Sequence, residues 1–295
     1  MPKENQPPSP MRNLAYSVVV SSCDGYRDLW PYFFHFYFRC APALPQPVYL
    51  VSNFTRYADE RVRTILTGPD RHWGDSLAQG LAEVQTEWVL YLQDDYLLSA
   101  DVDEARLHDC LTRLGRLGGQ YLSLLHRRDD GPLAADGELR EIPQREFFAD
   151  LQAGFWRRET LLQVVCPHSS PWRGESAIRA LAKAGEVPGY YCLPTEVPPL
   201  LAYVEAVRGK FWRPGGLSFL QAHRLVPDLR FRPSPPQGQE WWAKGLRSWH
   251  KRRMALREAG RALALGWSST LPVQRQLALP SIARKPVQCG HPTLP

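Results

Sequence analysis

The stretch Trp88-Val89-Leu90-Tyr91-Leu92-Gln93-Asp94-Asp95-Tyr96 decides the fold prediction for this chain. An apolar run rich in β-branched and aromatic residues predicts a buried strand, and this run ends on two adjacent carboxylates. In open α/β sheets, ligands bind beyond the carboxyl ends of the strands. Because neighbouring acids repel each other and carboxylate oxygens suit Mg²⁺ or Mn²⁺, Asp94 and Asp95 are candidate ligands of such an ion, which would hold a phosphorylated compound. The alternative is a polar turn in which Asp94 caps the next segment.

The segments before this strand alternate between strand and helix patterns. Such alternation predicts an α/β fold, a Rossmann-like and mostly parallel sheet flanked by helices. The predicted strands are Tyr16–Ser22 and Pro47–Asn53. One helix is predicted over Tyr26–Phe38, with Pro31 in its first turn. A second helix presents Leu77, Leu81 and Val84 at helical spacing.

This order of parts resembles a GT-A-fold glycosyltransferase, of a bacterial group related to the family 2 glycosyltransferases. In that fold the acids of a DxD-like motif hold a metal ion, and the ion holds the diphosphate of a nucleotide-sugar. Gln93 stands where an acid often occurs in the motif, which leaves Asp94 and Asp95 to bind the metal. The resemblance covers roughly residues 15–220, and its segments are Ser17–Asp24, Gly68–Val84, Asp94-Asp95, Leu151–Glu159, Pro171–Glu175 (Trp-x-x-Glu) and Val207–Trp212 (Gly-Lys-Trp type, with Phe211 inserted).

The Trp-x-x-Glu segment supplies the candidate base. The resemblance implies that Glu175 takes the proton of the acceptor hydroxyl, and that Trp172 stacks on an acceptor sugar. Pro171, Trp172 and Gly174 suggest a rigid and then flexible loop, followed by a helix over Ser176–Ala184, which would place Glu175 at the helix N-terminus. There a carboxylate is also stabilised by the helix dipole, so a capping role is the alternative.

Four residues are candidate contacts to the nucleotide-sugar. Asp24 ends the first strand, where an acid can hydrogen-bond a ribose hydroxyl, although a turn residue before Gly25 is equally compatible with the pattern. By resemblance, Asp70 and Asp94 also face the nucleotide. Lys210 could neutralise diphosphate charge, or be a solvated loop residue. Asp75 is expected to cap the helix that follows it.

Composition agrees with a globular enzyme of one main domain. The chain has 295 residues, 44% of them hydrophobic and 22% charged. It has no apolar run of about 18 residues that would predict a transmembrane helix. The polar N-terminus lacks the features of a signal peptide, and the six cysteines show no CxxC spacing, so reduced thiols and a cytoplasmic location are expected.

The C-terminal part is basic. Residues 241–267 carry seven Lys/Arg against one acid, Glu258, with aromatic and aliphatic residues interleaved. Such a segment suits an amphipathic helix on an anionic membrane surface, a helix packed on the domain, or, less well, nucleic acid. The predicted organisation is a flexible N-terminus (1–13), a catalytic domain (14–230), a linker (231–240), the basic helical segment (241–267) and a Pro-containing tail (268–295).

These observations predict a metal-dependent glycosyltransferase that moves a sugar from a nucleotide-sugar donor to a hydroxyl acceptor. Its acceptor would be a glycan or lipid-linked molecule of bacterial surface polysaccharide synthesis, at the inner face of the membrane. One alternative is a nucleotidyltransferase, although the Gly-rich basic signature expected after the first strand is missing. Another is a non-catalytic nucleotide-sugar-binding module, which Gln93 favours. The chain has no P-loop, GxGxxG, GxSxG or HExxH pattern.

Overall fold

The computed structural model describes residues 14–45, 47–69, 72–125, 131–142, 151–165, 170–183 and 189–234. The strands are β1 Tyr16–Ser21, β2 Val48–Ser52, β3 Val62–Leu66, β4 Trp88–Gln93, β5 Tyr96–Leu98, β6 Tyr121–Ser123, β7 Arg140–Glu141, β8 Gly154–Arg157, β9 Tyr190–Cys192, β10 Tyr203–Glu205, β11 Val207–Arg208 and β12 Phe211–Trp212. The helices are α1 Trp30–Cys40, α2 Trp73–Ala82, α3 Glu104–Arg116, α4 Arg158–Val165, α5 Pro171–Lys183 and α6 Pro214–Ala222. The chain divides into two compact units, Met1–Ala206 and Val207–Pro295.

The first unit is built on an eight-stranded sheet with the order β3-β2-β1-β4-β8-β6-β9-β7. Strands β3, β2, β1 and β4 are parallel neighbours, and β6 is parallel to β9. Strand β8 is antiparallel to both β4 and β6, and β7 is antiparallel to β9. All strands but β8 and β7 therefore run in one direction, which confirms the predicted mostly parallel sheet.

Burial explains why the central strands have continuous apolar sequences. Residues Trp88–Leu92 of β4 are all buried, as expected where both faces of a parallel strand are covered. On one face, Val19, Val89 and Tyr91 pack in a core cluster with apolar residues of α2, α4 and α5. Val18 and Val20 are also buried, and strand alternation directs them to the opposite face. The sheet is thus a middle layer of the unit.

Helix α2 lies unusually close to β2 because of a glycine. A Cβ atom built on Gly80 would stand 2.3 Å from Cγ2 of Val51, far inside van der Waals contact. No larger residue fits there without moving Val51 or the helix. This contact sets the position of α2, which leads into β4 and its acids.

Two predicted helix starts need correction. The helix predicted from Tyr26 begins at Trp30, with Pro31 in its first turn as expected, and a 3₁₀ turn precedes it at Asp24–Tyr26. The helix predicted from Ser176 begins at Pro171, so Glu175 lies in its second turn and not at its N-terminus. Proline suits the first helical position, where a missing N–H costs nothing.

In the second unit, the predicted Gly-Lys-Trp segment forms the hairpin of β11 and β12. Gly209 has a φ of 62°, which favours glycine at this two-residue turn. The start of the predicted linker packs on this hairpin, since Arg232 is only 5% exposed and its Nη1 donates to the Gly209 carbonyl at 3.3 Å. The basic segment, the N-terminus and the tail lie outside the described residues. No helix among the described residues is long and apolar enough to cross a membrane.

Candidate functional site

The candidate site lies at the carboxyl ends of β1 and β4, which are adjacent and parallel, with Ser21 opposite Gln93. The chain leaves β1 towards β2 on one side, and returns through α2 to β4 on the other. Ligands of open α/β sheets bind in the crevice at such a reversal of strand order. The residues that follow the two strands here are Ser22–Asp24 and Asp94–Asp95.

Asp94 is buried, with 4% of its surface exposed. Its Oδ2 accepts hydrogen bonds from the Ser22 hydroxyl and, at 3.2 Å, from Nε1 of Trp30. The Trp30 indole also lies 2.7 Å from the Ser22 oxygen, so the three side chains form one network. A buried carboxylate needs such donors, because desolvation of an unpaired charge is costly. Asp94 therefore joins the end of β4 to the end of β1 and the start of α1.

Asp95 occupies the turn between β4 and β5 and is half-buried. Its carbonyl oxygen accepts a hydrogen bond from the Ala206 amide at 2.8 Å, and β5 pairs with β10 directly beyond it. The backbone of Asp95 is thus held by the same segment that pairs with β5.

Binding of Mg²⁺ or Mn²⁺ by Asp94 and Asp95 stays a prediction. Among the described residues, no group of three or more His, Cys, Asp or Glu side chains is placed to hold a metal ion. Mg²⁺, however, is commonly bound through one or two carboxylates together with substrate phosphates and water. Since Asp94 is buried and Asp95 is half-buried, Asp95 is the more accessible candidate for direct coordination, with Asp94 as its support.

Gln93 has a partner within the protein. Its Nε2 donates to the Tyr91 hydroxyl at 3.3 Å, and burial raises the pKa of that phenol, which therefore stays protonated. The amide thus completes a polar pair at the end of β4. An acid here would also accept a hydrogen bond from Tyr91, but it would bring a third negative charge next to Asp94 and Asp95.

Asp24 holds the segment that follows β2. Its carboxylate accepts from the Ser52 hydroxyl at 2.8 Å, from the amides of Asn53, Phe54 and Thr55 at 3.1–3.3 Å, and from the Thr55 hydroxyl at 3.0 Å. Burial raises the pKa of Asp24, but these donors more than offset it and lower the pKa to about 2. A carboxylate has about four acceptor positions, so these bonds use most of them. Direct contact of Asp24 with ribose stays a prediction.

The antiparallel strand β8 brings a second part of the chain to this edge. Gly154, its first residue, pairs with Tyr91, so the residues that precede β8 enter the sheet where β4 leaves it. Oε1 of Glu175 accepts a hydrogen bond from the amide of Leu151 in this entering segment, at 3.2 Å. Glu175 is half-buried. The proposed base is therefore tied to the segment that enters beside the acids.

A tryptophan connects the start of α5 to the end of β1. A Cβ atom on Gly174 would lie 2.9 Å from Leu151 and 3.6 Å from the Trp73 ring, so α5 packs tightly here. Nε1 of Trp73 donates to the Ser21 hydroxyl at 3.1 Å. The glycine of the Trp-x-x-Glu segment thus serves helix packing, where the sequence indicated a flexible loop. Through Trp73, Glu175 and the β1 end belong to one region.

Other residues that the sequence singled out lie on α5, on α2 and in the second unit. Trp172 is 73% exposed and lies three residues before Glu175, on the same face of α5. Asp75 does not cap α2, because the cap residue is His72 and Asp75 lies within the first turn. Lys210 is exposed in the hairpin of the second unit. Asp70 lies outside the described residues.

The sequence interpretation missed some residues of the site. Trp30 donates an indole hydrogen bond at the crevice, but an aromatic residue at a helix start carries no signal for that role. Asn53 was the last residue of a predicted strand, and its Oδ1 accepts from the Asp24 amide at 3.0 Å. A polar residue at that position could have been selected by the same rule that selected Asp94.

No protein-family model and no curated protein matches the chain. Solved structures with a similar arrangement include residues 1–349 of TarS from S. aureus in complex with UDP-GlcNAc, with 12% identity, a TM-score of 0.45, and 66% of this chain and 59% of that chain covered. Bifunctional IspDF from Campylobacter jejuni has 12% identity and a TM-score of 0.34, with 55% of this chain and 47% of that chain covered. The 4-diphosphocytidyl-2C-methyl-D-erythritol synthase from Anaerococcus prevotii has 10% identity and a TM-score of 0.35, with 63% of this chain and 89% of that chain covered. The chain spans less than two thirds of the TarS fragment. At such low identities and TM-scores, these likenesses assign no activity to this chain.

Proposed function

We propose that the chain is a glycosyltransferase that moves a sugar from a nucleotide-sugar donor to a hydroxyl acceptor. The observation that carries the proposal is the position of Asp94 and Asp95 at the reversal of strand order, beside the end of β1. A divalent ion bound there would neutralise the charge that develops on the leaving nucleoside diphosphate. Asp95 would be its protein ligand, and Asp94 would hold the turn.

The donor would be placed by the ends of β1 and β2. Asp24 fixes the segment 52–55 through its hydrogen bonds, so the wall of the crevice at β2 is ordered before any ligand arrives. Asn53 borders this wall next to Asp24. Such preorganisation favours binding, because little conformational freedom remains to be lost.

The acceptor would be activated by Glu175. In transfer, the acceptor oxygen bonds to the anomeric carbon, the bond from that carbon to the diphosphate breaks, and the carboxylate takes the hydroxyl proton. The hydrogen bond from the Leu151 amide to Oε1 orients the carboxylate. Trp172, on the same face of α5, offers an exposed ring on which an acceptor sugar could stack.

Synthesis of surface polysaccharide or lipid-linked glycans is the cellular role that we propose for this activity. Its support is the basic composition of residues 241–267, which suits an anionic membrane surface where lipid-linked acceptors occur. These residues lie outside the described part of the chain, so membrane docking stays a prediction from sequence.

A donor panel with a matched pair of variants tests the proposal. The protein, with Mn²⁺, is given a set of nucleotide-sugars, and release of nucleoside diphosphate is measured with and without acceptor sugars. Glu175→Gln should lower turnover by about 10²–10⁴-fold while leaving donor affinity unchanged, since it removes the base and keeps the shape. Glu159→Gln makes the same change at an exposed position of the neighbouring helix α4, and should leave turnover unchanged.

Each contrary outcome has a distinct meaning. Near-normal turnover of Glu175→Gln would show that Glu175 is not the catalytic base and has a structural role. Absence of hydrolysis and transfer for every donor, together with donor binding, would favour a binding module. Pyrophosphate release from a nucleoside triphosphate and a sugar phosphate would instead identify a nucleotidyltransferase.

A further inference from the structure

A cavity of about 450 Å³ lies between the outer face of α1 and the segment that follows β2. None of its lining residues belongs to the site at Asp94 and Asp95. Its volume lies within the range of roughly 300–1,000 Å³ that small-molecule sites have. One wall is formed by Phe34, His35 and Phe38 of α1, and the other by Tyr57, Asp59 and Arg61 of the segment that follows β2.

The walls of this cavity are held in place by ring contacts. The Tyr57 ring stacks on Phe34, with centroids 4.7 Å apart, and the Arg61 guanidinium lies 3.7 Å from the centre of the Phe38 ring. The Tyr57 amide donates to the Thr64 hydroxyl at 3.1 Å, which fixes the segment to β3. The cavity is therefore formed before a ligand binds.

The polar groups of the cavity have an excess of donors. Nε and Nη2 of Arg61 both bond to the Asp59 carboxylate, at 2.9 and 2.7 Å, which offsets the one negative charge of the wall. Within the described part of the chain, Nη1 of Arg61, the His35 imidazole and the Tyr57 hydroxyl have no hydrogen-bond partner. Burial and the nearby Asp59 raise the pKa of Tyr57, so its hydroxyl remains a donor at neutral pH.

The aromatic walls and the hydrogen-bond donors together suit an anionic group attached to an organic ring. Guanidinium groups bind phosphate oxygens through charge-assisted hydrogen bonds, and Arg39 adds a second guanidinium to the wall. Free phosphate would fill little of the cavity, whereas a ring of sugar size would also contact the half-buried Phe38 side chain.

We propose that the cavity between α1 and residues 57–61 is a second ligand site that binds a small phosphate monoester of sugar size. The site is separate from the crevice, and its existence does not depend on the glycosyltransferase proposal. Arg61 provides the main anion contact, and His35 and Tyr57 provide further donors.

Isothermal titration calorimetry on the full chain tests the proposal with three probes: glucose 6-phosphate, glucose and inorganic phosphate. We expect glucose 6-phosphate to bind more tightly than inorganic phosphate, and glucose not to bind. Arg61→Gln should weaken glucose 6-phosphate binding by about 10–100-fold, the scale for loss of a hydrogen bond to a charged group. His35→Gln, at an exposed position, should weaken it less, and it serves as the second variant if Arg61→Gln lowers the thermal unfolding temperature.

The control is Arg63→Gln. Arg63 is an exposed arginine of β3 that pairs with Glu83 at 2.9 Å and does not line the cavity, so binding should be unchanged. The proposal is overturned if glucose 6-phosphate does not bind, if glucose binds equally well, or if Arg63→Gln weakens binding as much as Arg61→Gln. None of these outcomes bears on donor turnover.

Discussion

The ends of β1 and β4 place acids at the same edge of one sheet, but the two ends use them differently. After β1 the chain has a single acid, Asp24, and the segment 52–55 occupies its carboxylate. After β4 it has two, and Asp94 is bonded to Ser22 and Trp30 while Asp95 follows in the turn. Under the proposed function, one of the paired carboxylates holds the structure while its neighbour binds a ligand. Three changes, from the largest expected effect to the smallest, can break or sharpen this comparison.

Replacement of the two paired acids should separate their roles. Asp95→Asn should weaken Mn²⁺-dependent binding of UDP by more than about 100-fold, because it removes the proposed metal ligand. Asp94→Asn keeps the shape of a residue that acts through its neighbour, so we expect a loss of about 10–100-fold, the scale for a group that orients a metal ligand. Calorimetry with UDP, in Mn²⁺ and in EDTA, measures both.

Binding in EDTA should be the same for both variants and the unchanged protein. Equal UDP affinity of Asp95→Asn and the unchanged protein in Mn²⁺ would contradict the metal assignment. A larger loss for Asp94→Asn than for Asp95→Asn would reverse the two roles.

A substitution at Gly80 tests whether stability near the end of β2 depends on the close packing of α2 against Val51. Gly80→Ala forces a Cβ against Val51, next to Ser52, and should lower the free energy of unfolding by about 1–2 kcal/mol, since overpacking outweighs the helix propensity of alanine. Urea unfolding measures the change.

Gly215→Ala on α6 is the matched control, because nothing lies within 4 Å of its added Cβ, and it should be neutral or slightly stabilising. In a Val51→Ala background, the cost of Gly80→Ala should fall. An equal cost in both backgrounds would show that the Val51 contact is not its cause.

Asp24→Asn should have the smallest effect, and that effect should depend on pH. The pKa of Asp24 is lowered from 3.8 to about 2 in the folded state, so its contribution to stability is present above about pH 4 and is lost as pH falls towards 2. We expect a deficit of about 1 kcal/mol in the free energy of unfolding at pH 6, allowing for solvent screening, and almost none at pH 2.

The measurement is urea unfolding of both proteins across this pH range. Asp101→Asn, at an exposed position, should show no such dependence. A deficit for Asp24→Asn that stays constant with pH would mean that shape, and not charge, accounts for the role of Asp24.

The parts of the fold that the sequence predicted are those with a strong apolar signal. Strands β1, β2 and β4 are confirmed because their residues are mostly buried, which requires continuous apolar runs. Strand β3 alternates with exposed residues, and β7 has two residues, so neither gave a comparable pattern. The antiparallel direction of β8 could not be predicted, since the direction of a strand depends on its partners and not on its own residues.

The sequence predicted where the acids of the candidate site lie, but not which groups they contact. The rule that acids at strand ends serve ligands selected Asp24, Asp94 and Asp95 equally. What distinguishes Asp24 is a set of backbone amides from a segment 29 to 31 residues later, and no local pattern encodes those. Helix α5 was predicted too short for a similar reason, because Gly174 indicates a loop until its contact with Leu151 is known.

The hydrogen bond between Ser22 and Asp94 has a consequence for how the protein folds. It joins residues 72 apart, and the β1–β4 pairing joins residues equally distant in sequence. The entropy of closing so long a loop must be lost before any contact at the edge offsets it, and such pairings are slow to form. The crevice therefore assembles only when the centre of the sheet closes. A nascent chain would form this candidate site late, after both central strands have been synthesised and paired.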